Sequence, residues 1–343
     1  MDEYVTSDSG YQNKLLTQKE EKMRFSTRCT ITFQIIFIVV MVTGLGFNQS
    51  AWAAYPDKPI NLIVGFKAGG ITDSVARILA KSMQEQLGQP VLVVNKPGGG
   101  GFLAASYVRK SAPDGYNIAM TVSVAYTFMP HFMAKQKKVA FSWDDFDYLA
   151  TVGEFQAAYV GPPSIKTWKE LMDLGKQKKG LSVASMTPID AMVTRYIAKK
   201  EGIPIKIVPF KGGAETLTAV MGEHTDFGFS GGLHIKYTKA GKLNTLAAFS
   251  GNGLAAEPQV PTLTKLGYDV DSGSAVTVSL PKGTPDNIIM KLETCVAKAV
   301  QTEEYKGLMS KIKFPINYRG PKATSKYISE QYGSMQNLFE FLK

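Results

Sequence analysis

The residues best suited to chemistry lie in 65–73, GFKAGGITD, directly after the apolar run 60–64. Glycine and alanine let a backbone approach a small molecule closely. Thr72 and Asp73 then open an amphipathic helical pattern, and the first N–H groups of a helix lack intrahelical partners. A turn of this kind is suited to an anion such as a carboxylate or phosphate. Further glycine- or serine-bearing loops follow apolar runs at 95–101, 121–127, 185–190 and 210–215, with 230–232 as another. In open α/β sheets ligands bind outside the carboxyl ends of the strands, and all these loops take that position. Their convergence favours a binding cleft.

Other chemistries fit less well. Gly228-Phe229-Ser230-Gly231-Gly232 matches the G-x-S-x-G nucleophile elbow, which makes a Ser230 hydrolase the enzyme alternative. Such a triad needs a distant histidine as general base. Of the three histidines, His131, His224 and His234, only His234 follows Ser230, four residues on in the same local element. The histidines are also too separated to suggest a metal site. The 65–73 loop lacks the G-K-[ST] ending of a P-loop, and 95–101 lacks the register of a dinucleotide fingerprint. Asp144-Asp145 and Glu303-Glu304 read as helix starts or solvated faces. What remains is rich in backbone donors and hydroxyls and poor in proton-transfer groups. That composition suits binding an anion without transforming it, so no enzymatic activity and no cofactor are expected.

These loops need a scaffold, and the chain supplies short apolar runs alternating with amphipathic helical patterns. Strands are predicted at 60–64, 91–95, 117–121, 148–152, 159–161, 181–184, 205–209, 225–229, 244–249 and 275–280. Helices are predicted at 72–87, 101–111, 167–178, 188–201, 213–222, 285–301, 303–312 and 323–340. The alternation predicts α/β layers with largely parallel sheets. Pro-Gly punctuation at 159–164 and 279–285 marks turns where the chain is expected to cross between two lobes. The division is then 54–160 plus 280–343 for lobe one and 161–279 for lobe two.

Ahead of this lies a polar stretch, 1–22, then a basic n-region with Lys22, Arg24 and Arg28, an apolar core at 31–46, and Ala51-Trp52-Ala53. This reads as an N-terminal extension and a signal peptide cleaved near Ala53, with Met23 an alternative start. The apolar run is short of the ~20 residues of a membrane span. Residues 1–53 hold five Lys/Arg and five Asp/Glu, so the exported part keeps the +10 of the 343-residue chain. Its cations are dispersed, without a basic arm, which points to anionic solutes and not to nucleic acid. Cys295 stays alone after Cys29 leaves, at apolar helical spacing, and reads as a buried thiol.

The segments YPDKPINLIVGFKAGGITD (55–73), LGQPVLVVNKPGGGG (87–101) and APDGYNI (112–118) resemble the Bug-type (TctC) periplasmic receptors of tripartite tricarboxylate transporters. So do PFKGGAETLTAVMGEHTDF (209–227), KAGKLNTLA (239–247), PQVPTLTKLGY (258–268) and LPKGTPDNI (280–288), in the same order. The resemblance implies a two-lobe, type II periplasmic-binding (Venus flytrap) fold with the ligand in the cleft between lobes. It implies a small carboxylate as ligand, an integral-membrane permease as partner, and a periplasmic location. Monomer is the default for this shape. Matching positions imply ligand contacts at Phe66, Ala68, Gly69, Thr72 and Asp73, partly through water, and at Ser123, Thr187, Asp190, Phe210, Lys211 and Gly212. Asp73 would repel a carboxylate directly, so it either holds a water or caps its helix. Amino-acid-binding members carry Asp where this chain has Ser230, which turns the expectation towards di- or tricarboxylates or aromatic acids, with Ser230 in the site. Lys67 stands where the family often has Pro and either meets a second carboxylate or points to solvent. A soluble signalling receptor of the same fold is the other alternative.

Overall fold

Ten strands are formed among residues 55–136 and 141–343, the part of the chain that the computed structural model describes. The expected extension and signal sequence lie outside the described residues. Residues 56–343 make one unit holding two five-stranded sheets.

The first sheet has the order β2-β1-β3-β10-β4, from β1 (Ile60–Val64), β2 (Val91–Asn95), β3 (Asn117–Val122), β4 (Phe146–Glu154) and β10 (Ala275–Pro281). The second has the order β7-β6-β8-β5-β9, from β5 (Ala158–Gly161), β6 (Leu181–Ser185), β7 (Ile205–Pro209), β8 (Phe227–Ser230) and β9 (Asn244–Ala248). Every predicted strand is present. The long helices are α1 (Ile71–Leu87), α2 (Phe102–Arg109), α5 (Trp168–Lys178), α6 (Pro188–Glu201), α7 (Gly213–Met221), α9 (Asp286–Ala299), α10 (Glu303–Lys311) and α11 (Pro321–Phe341). Three short helices, α3 (Val124–Thr127), α4 (Met129–Lys135) and α8 (Ile235–Thr238), were not anticipated.

Two sequence expectations need correction. The sheets are mixed, because β10 runs antiparallel to β3 and β4, and β5 antiparallel to β8 and β9. Each of these strands enters its sheet from the other lobe, so it arrives in the opposite direction to the βαβ strands already there. The crossings also fall earlier than expected. β5 pairs in the second sheet although its first residues stood in lobe one, and β10 pairs in the first sheet although 275–279 stood in lobe two.

The strands therefore cross at 155–157 and 270–274, side by side: the Phe155 N–H donates to the Ser274 carbonyl at 2.8 Å. Beside them Glu154, 3% exposed, accepts bonds from Ser250 Oγ (2.6 Å) and Arg319 Nη2 (3.0 Å). The C-terminal helix α11 runs along the junction. Thr324 Oγ1 accepts the Thr151 N–H of β4, and Gln331 Nε2 donates to the Gly273 carbonyl in the second crossing. At its far end Phe341 meets Tyr196 of α6 with ring centroids 5.0 Å apart, and Lys199 Nζ donates to the Phe341 carbonyl.

Local chemistry explains the site-bearing elements. β1 is buried at four of its five positions, as befits a strand covered on both faces, and β2 alternates as an edge strand does. Aromatic packing dominates the core: Tyr126 meets Phe146 and Tyr148 edge-on at 5.0 and 5.4 Å. Such pairs contribute about 0.5–1.5 kcal/mol each beyond area burial. Cys295 is buried and free, and burial pushes its thiol pKa up. Among the described residues no helix is long and apolar enough to cross a membrane.

Candidate functional site

The loop after β1 is shaped by its own aspartate. Asp73, 2% exposed, turns inward: Oδ2 accepts the Gly69 N–H at 2.9 Å and Arg77 Nε at 3.0 Å. Oδ1 accepts Arg77 Nη2 at 3.0 Å and Asn95 Nδ2 at 2.9 Å, and the same Asn95 amide donates to the Phe66 carbonyl. Burial works against the charge, but the bonds from Arg77, Gly69 and Asn95 prevail and hold the carboxyl below its usual range. Gly69 has φ +83°, which only glycine adopts without strain, and it lies exposed with Lys67 and Ala68 while Phe66 is half-buried. The N-cap of α1 is Gly70, without a side-chain cap, so the first N–H groups of the helix, those of Ile71, Thr72 and Asp73, have no intrahelical partner. Thr72 itself is buried.

Two glycines below this loop serve packing. A Cβ on Gly65 would stand 2.7 Å from Gly101 Cα and 2.8 Å from Thr121 Oγ1, and one on Gly101 would overlap the same hydroxyl. The loops after β1 and β2 thus close onto one another over Thr121 of β3.

In the second lobe the loop after β6 is built the same way and finished differently. Asp190, fully buried, accepts the Met186 N–H at 3.0 Å through Oδ2. Its Oδ1 accepts Ser185 Oγ (2.9 Å), the Thr187 N–H (3.0 Å) and Thr187 Oγ1 (3.0 Å). Thr187 Oγ1 in turn accepts the Asp190 N–H, a capping box that closes the start of α6. Burial raises the Asp190 pKa against the pull of these bonds. The polar groups of Ser185, Met186 and Thr187 thus turn towards Asp190.

The remaining expected residues divide between the lobes. Ser123 is buried between β3 and β10, its Oγ accepting the Ala275 N–H and donating to the Gly273 carbonyl. After β7, Phe210 is half-buried, Lys211 is exposed with its N–H on Glu215 Oε2, and Gly212 leaves α7 without a side-chain cap. Phe66–Asp73 thus form one group in the first lobe, and Ser123 lies after β3 against the second crossing. Thr187, Asp190, Phe210–Gly212 and Ser230 gather at the ends of β6, β7 and β8 in the second.

Ser230 is fully buried and belongs to a chain. Its Oγ accepts the N–H groups of Gly232 and His234, both at 3.2 Å, and lies 3.0 Å from His234 Nδ1. With both lone pairs engaged, the hydroxyl proton goes to Nδ1. His234 is then the Nε2–H tautomer, donating to Glu257 Oε2 at 3.2 Å. Thr238 and Thr245 also donate to Glu257, each at 2.7 Å. Burial opposes the Glu257 charge, yet the bonds from His234, Thr238 and Thr245 bring its pKa to about 2. A serine–histidine–carboxylate line exists, contrary to the expectation that His234 lies too near to take part. Its serine oxygen nevertheless faces backbone donors within the fold and has no open side from which to attack a substrate.

Sequence reasoning missed Arg77, Asn95 and Met186. Arg77 stood four residues after Asp73, a spacing that puts both on one helix face. Asn95 closes a strand beside that loop, and Met186 carried no signal beyond its place after β6.

Residues 75–342 match the family described as the tripartite tricarboxylate transporter family receptor. The chain belongs to that family. As a member of these receptors it is a binding protein and no enzyme. A Cupriavidus necator relative, the UPF0065 protein in the gbd 5′ region, is 30% identical over 297 residues, covering 84% of this chain and 88% of its own. A TctC solute-binding protein from Polaromonas, solved without ligand, superimposes with a TM-score of 0.74 at 25% identity, over 83% of this chain and 99% of that one. MatC from Rhodopseudomonas palustris, solved with bound malate, has the same fold at 22% identity and a TM-score of 0.63, over 83% and 99% of the two chains. Transporter receptors of this fold hold two α/β lobes, and here each lobe carries one of the two sheets.

Proposed function

We propose that this receptor captures a small carboxylate between its lobes in the periplasm and hands it to a membrane permease. The observation that carries this reading is the first turn of α1: three N–H groups without an intrahelical partner, beside a loop whose aspartate is already neutralised by Arg77. Free helix N–H groups favour an anion, and the inward turn of Asp73 removes the repulsion that a carboxylate would otherwise meet. Phe66, Ala68, Gly69 and Thr72 line that loop in this reading, directly or through water. Asp73 acts as its anchor, as Asp190 does for the loop bearing Thr187. Ser123, Phe210, Lys211, Gly212 and Ser230 complete or support the two faces.

Closure follows from the crossings. Rotation about 155–157 and 270–274 would bring the loop after β1 towards those after β6, β7 and β8. Lobe one is then 56–154 with 275–343, and lobe two is 158–269. Export through a signal cleaved near Ala53, and action as a monomer, belong to the same reading. The malate held by MatC is consistent with a carboxylate here. The test is thermal denaturation of residues 54–343 with di- and tricarboxylates, aromatic acids and amino acids. A saturable rise in Tm with a carboxylate, lost in Thr72→Ala, supports the proposal, and a flat panel contradicts it.

A further inference from the structure

The two lobes differ in what they offer a ligand. In the first, the loop after β1 opens into the uncapped start of α1. In the second, the donors after β6 are held by Asp190, and it is the start of α7, after β7, that has no side-chain cap. Met186 shows the contrast most clearly. Its N–H is on Asp190, so its half-buried thioether is what it presents. That thioether sits among three loops: Sδ is 3.7 Å from where a Cβ on Gly213 would stand, and Cε 3.7 Å from one on Gly231. Leu233, 53% exposed, lies over the start of α7, its Cδ1 3.3 Å from that same Gly213 position. Met186 also lines a recess of about 380 Å³ together with Thr187, Arg195, Ile207, Pro209 and Phe210.

An exposed leucine and a methionine at the ends of β6 and β8, where the lobe's loops converge, leave apolar surface for a ligand to cover. Methionine adapts its shape to an apolar partner and fills irregular gaps. We infer that the ligand is a carboxylate with an apolar body, its charge at the loop of the first lobe and its carbon chain against Met186 and Leu233 of the second. This rests on the carboxylate reading above and narrows it. Citrate, with a carboxylate at each end and a third at its centre, would press charge against the thioether at a desolvation cost.

The test is calorimetric titration of residues 54–343, freed of carried ligand by unfolding and refolding, with acetate, butanoate, hexanoate, benzoate and citrate. Affinity is expected to rise about fourfold per added methylene from acetate to hexanoate, the ratio for burying one CH₂. Citrate is expected to bind more weakly than hexanoate. Met186→Gln, similar in volume, should flatten the series, and Met186→Leu should restore its slope, with circular dichroism melts confirming that both fold. Citrate binding tighter than hexanoate, or a slope unaltered by Met186→Gln, overturns the inference and leaves the carboxylate reading standing. Silence from every acid overturns both.

Discussion

Asp73 and Asp190 hold the same relation to their loops: each accepts, through Oδ2, the N–H of the residue four positions earlier, Gly69 at 2.9 Å and Met186 at 3.0 Å. The two carboxylates differ in their other partners. Asp73 faces Arg77, and Asp190 faces only hydroxyls and amides. The first loop thereby keeps its charge balanced beside an open helix start, and the second buries a carboxylate to close its own.

The two aspartates should leave opposite pH signatures. The pKa of Asp73 is lowered on folding, so its contribution is present above the unfolded value of about 3.9 and lost as pH falls through the folded one. The pKa of Asp190 is raised, so its contribution is greatest below about 3.9 and declines as pH climbs through the folded value. Melting temperatures of wild type, Asp73→Asn and Asp190→Asn from pH 3 to 7 check this. The Asp73→Asn deficit should grow with pH and the Asp190→Asn deficit should shrink.

Replacing Asp73 should also damage binding. Asp73→Asn loosens the ties to Gly69, Arg77 and Asn95 that shape the loop. Loss of that shape is expected to outweigh the positive charge left behind, giving about tenfold weaker carboxylate binding alongside about 1–3 kcal/mol of lost stability. Titration with the best acid from the panel measures the first and urea unfolding the second. Unaltered affinity would mean that the loop does not hold the ligand.

Glu257 gives a second pH window. Its stabilisation is complete above about 4.5 and is lost as pH falls towards about 2. Subtracting the acid unfolding curve of Glu257→Gln from that of wild type should reveal a difference confined to this range.

Ser230→Ala removes an acceptor of two backbone N–H groups and should cost about 1–3 kcal/mol. Neither wild type nor variant should turn over a panel of simple esters. Ester hydrolysis that disappears with Ser230 would revive the enzyme alternative.

Gly101→Ala should destabilise by about 1–3 kcal/mol, through overlap with Thr121 and a positive φ. Gly100→Ala, with φ +61° and nothing within 4 Å of the new carbon, should cost about 1 kcal/mol. Thr121→Ser keeps the hydroxyl and should not rescue Gly101→Ala, whereas Thr121→Ala should do so in part. Chemical denaturation of the four single variants and two double variants decides it.

Strand positions were legible because apolar runs such as 60–64 and 91–95 are bounded by Pro and Gly. Strand direction was not. Nothing in AVTVSLP tells that β10 enters the first sheet from the opposite side, since direction depends on which lobe the chain is leaving. At the site, TPID carries the spacing of a capping box, and the structure realises it at Thr187 and Asp190. Met186 lies in the 185–190 loop with no further signal of its own, and the glycines converging on it reveal its place. The pairing of Ser230 with His234 escaped because a four-residue separation looked too short, whereas the turn into α8 folds the ring back onto the hydroxyl.

The crossing strands also set an order of assembly. β10 lies between β3 and β4, so the first sheet cannot be completed until residue 281 is available, while the strands of the second all lie within 158–248. As the chain emerges amino end first, β4 must wait for its neighbour through the synthesis of the entire other lobe. A holding factor that masks unpaired strands should therefore matter most for residues 146–154, and a polypeptide ending before 275 would leave that strand without its β-sheet partner.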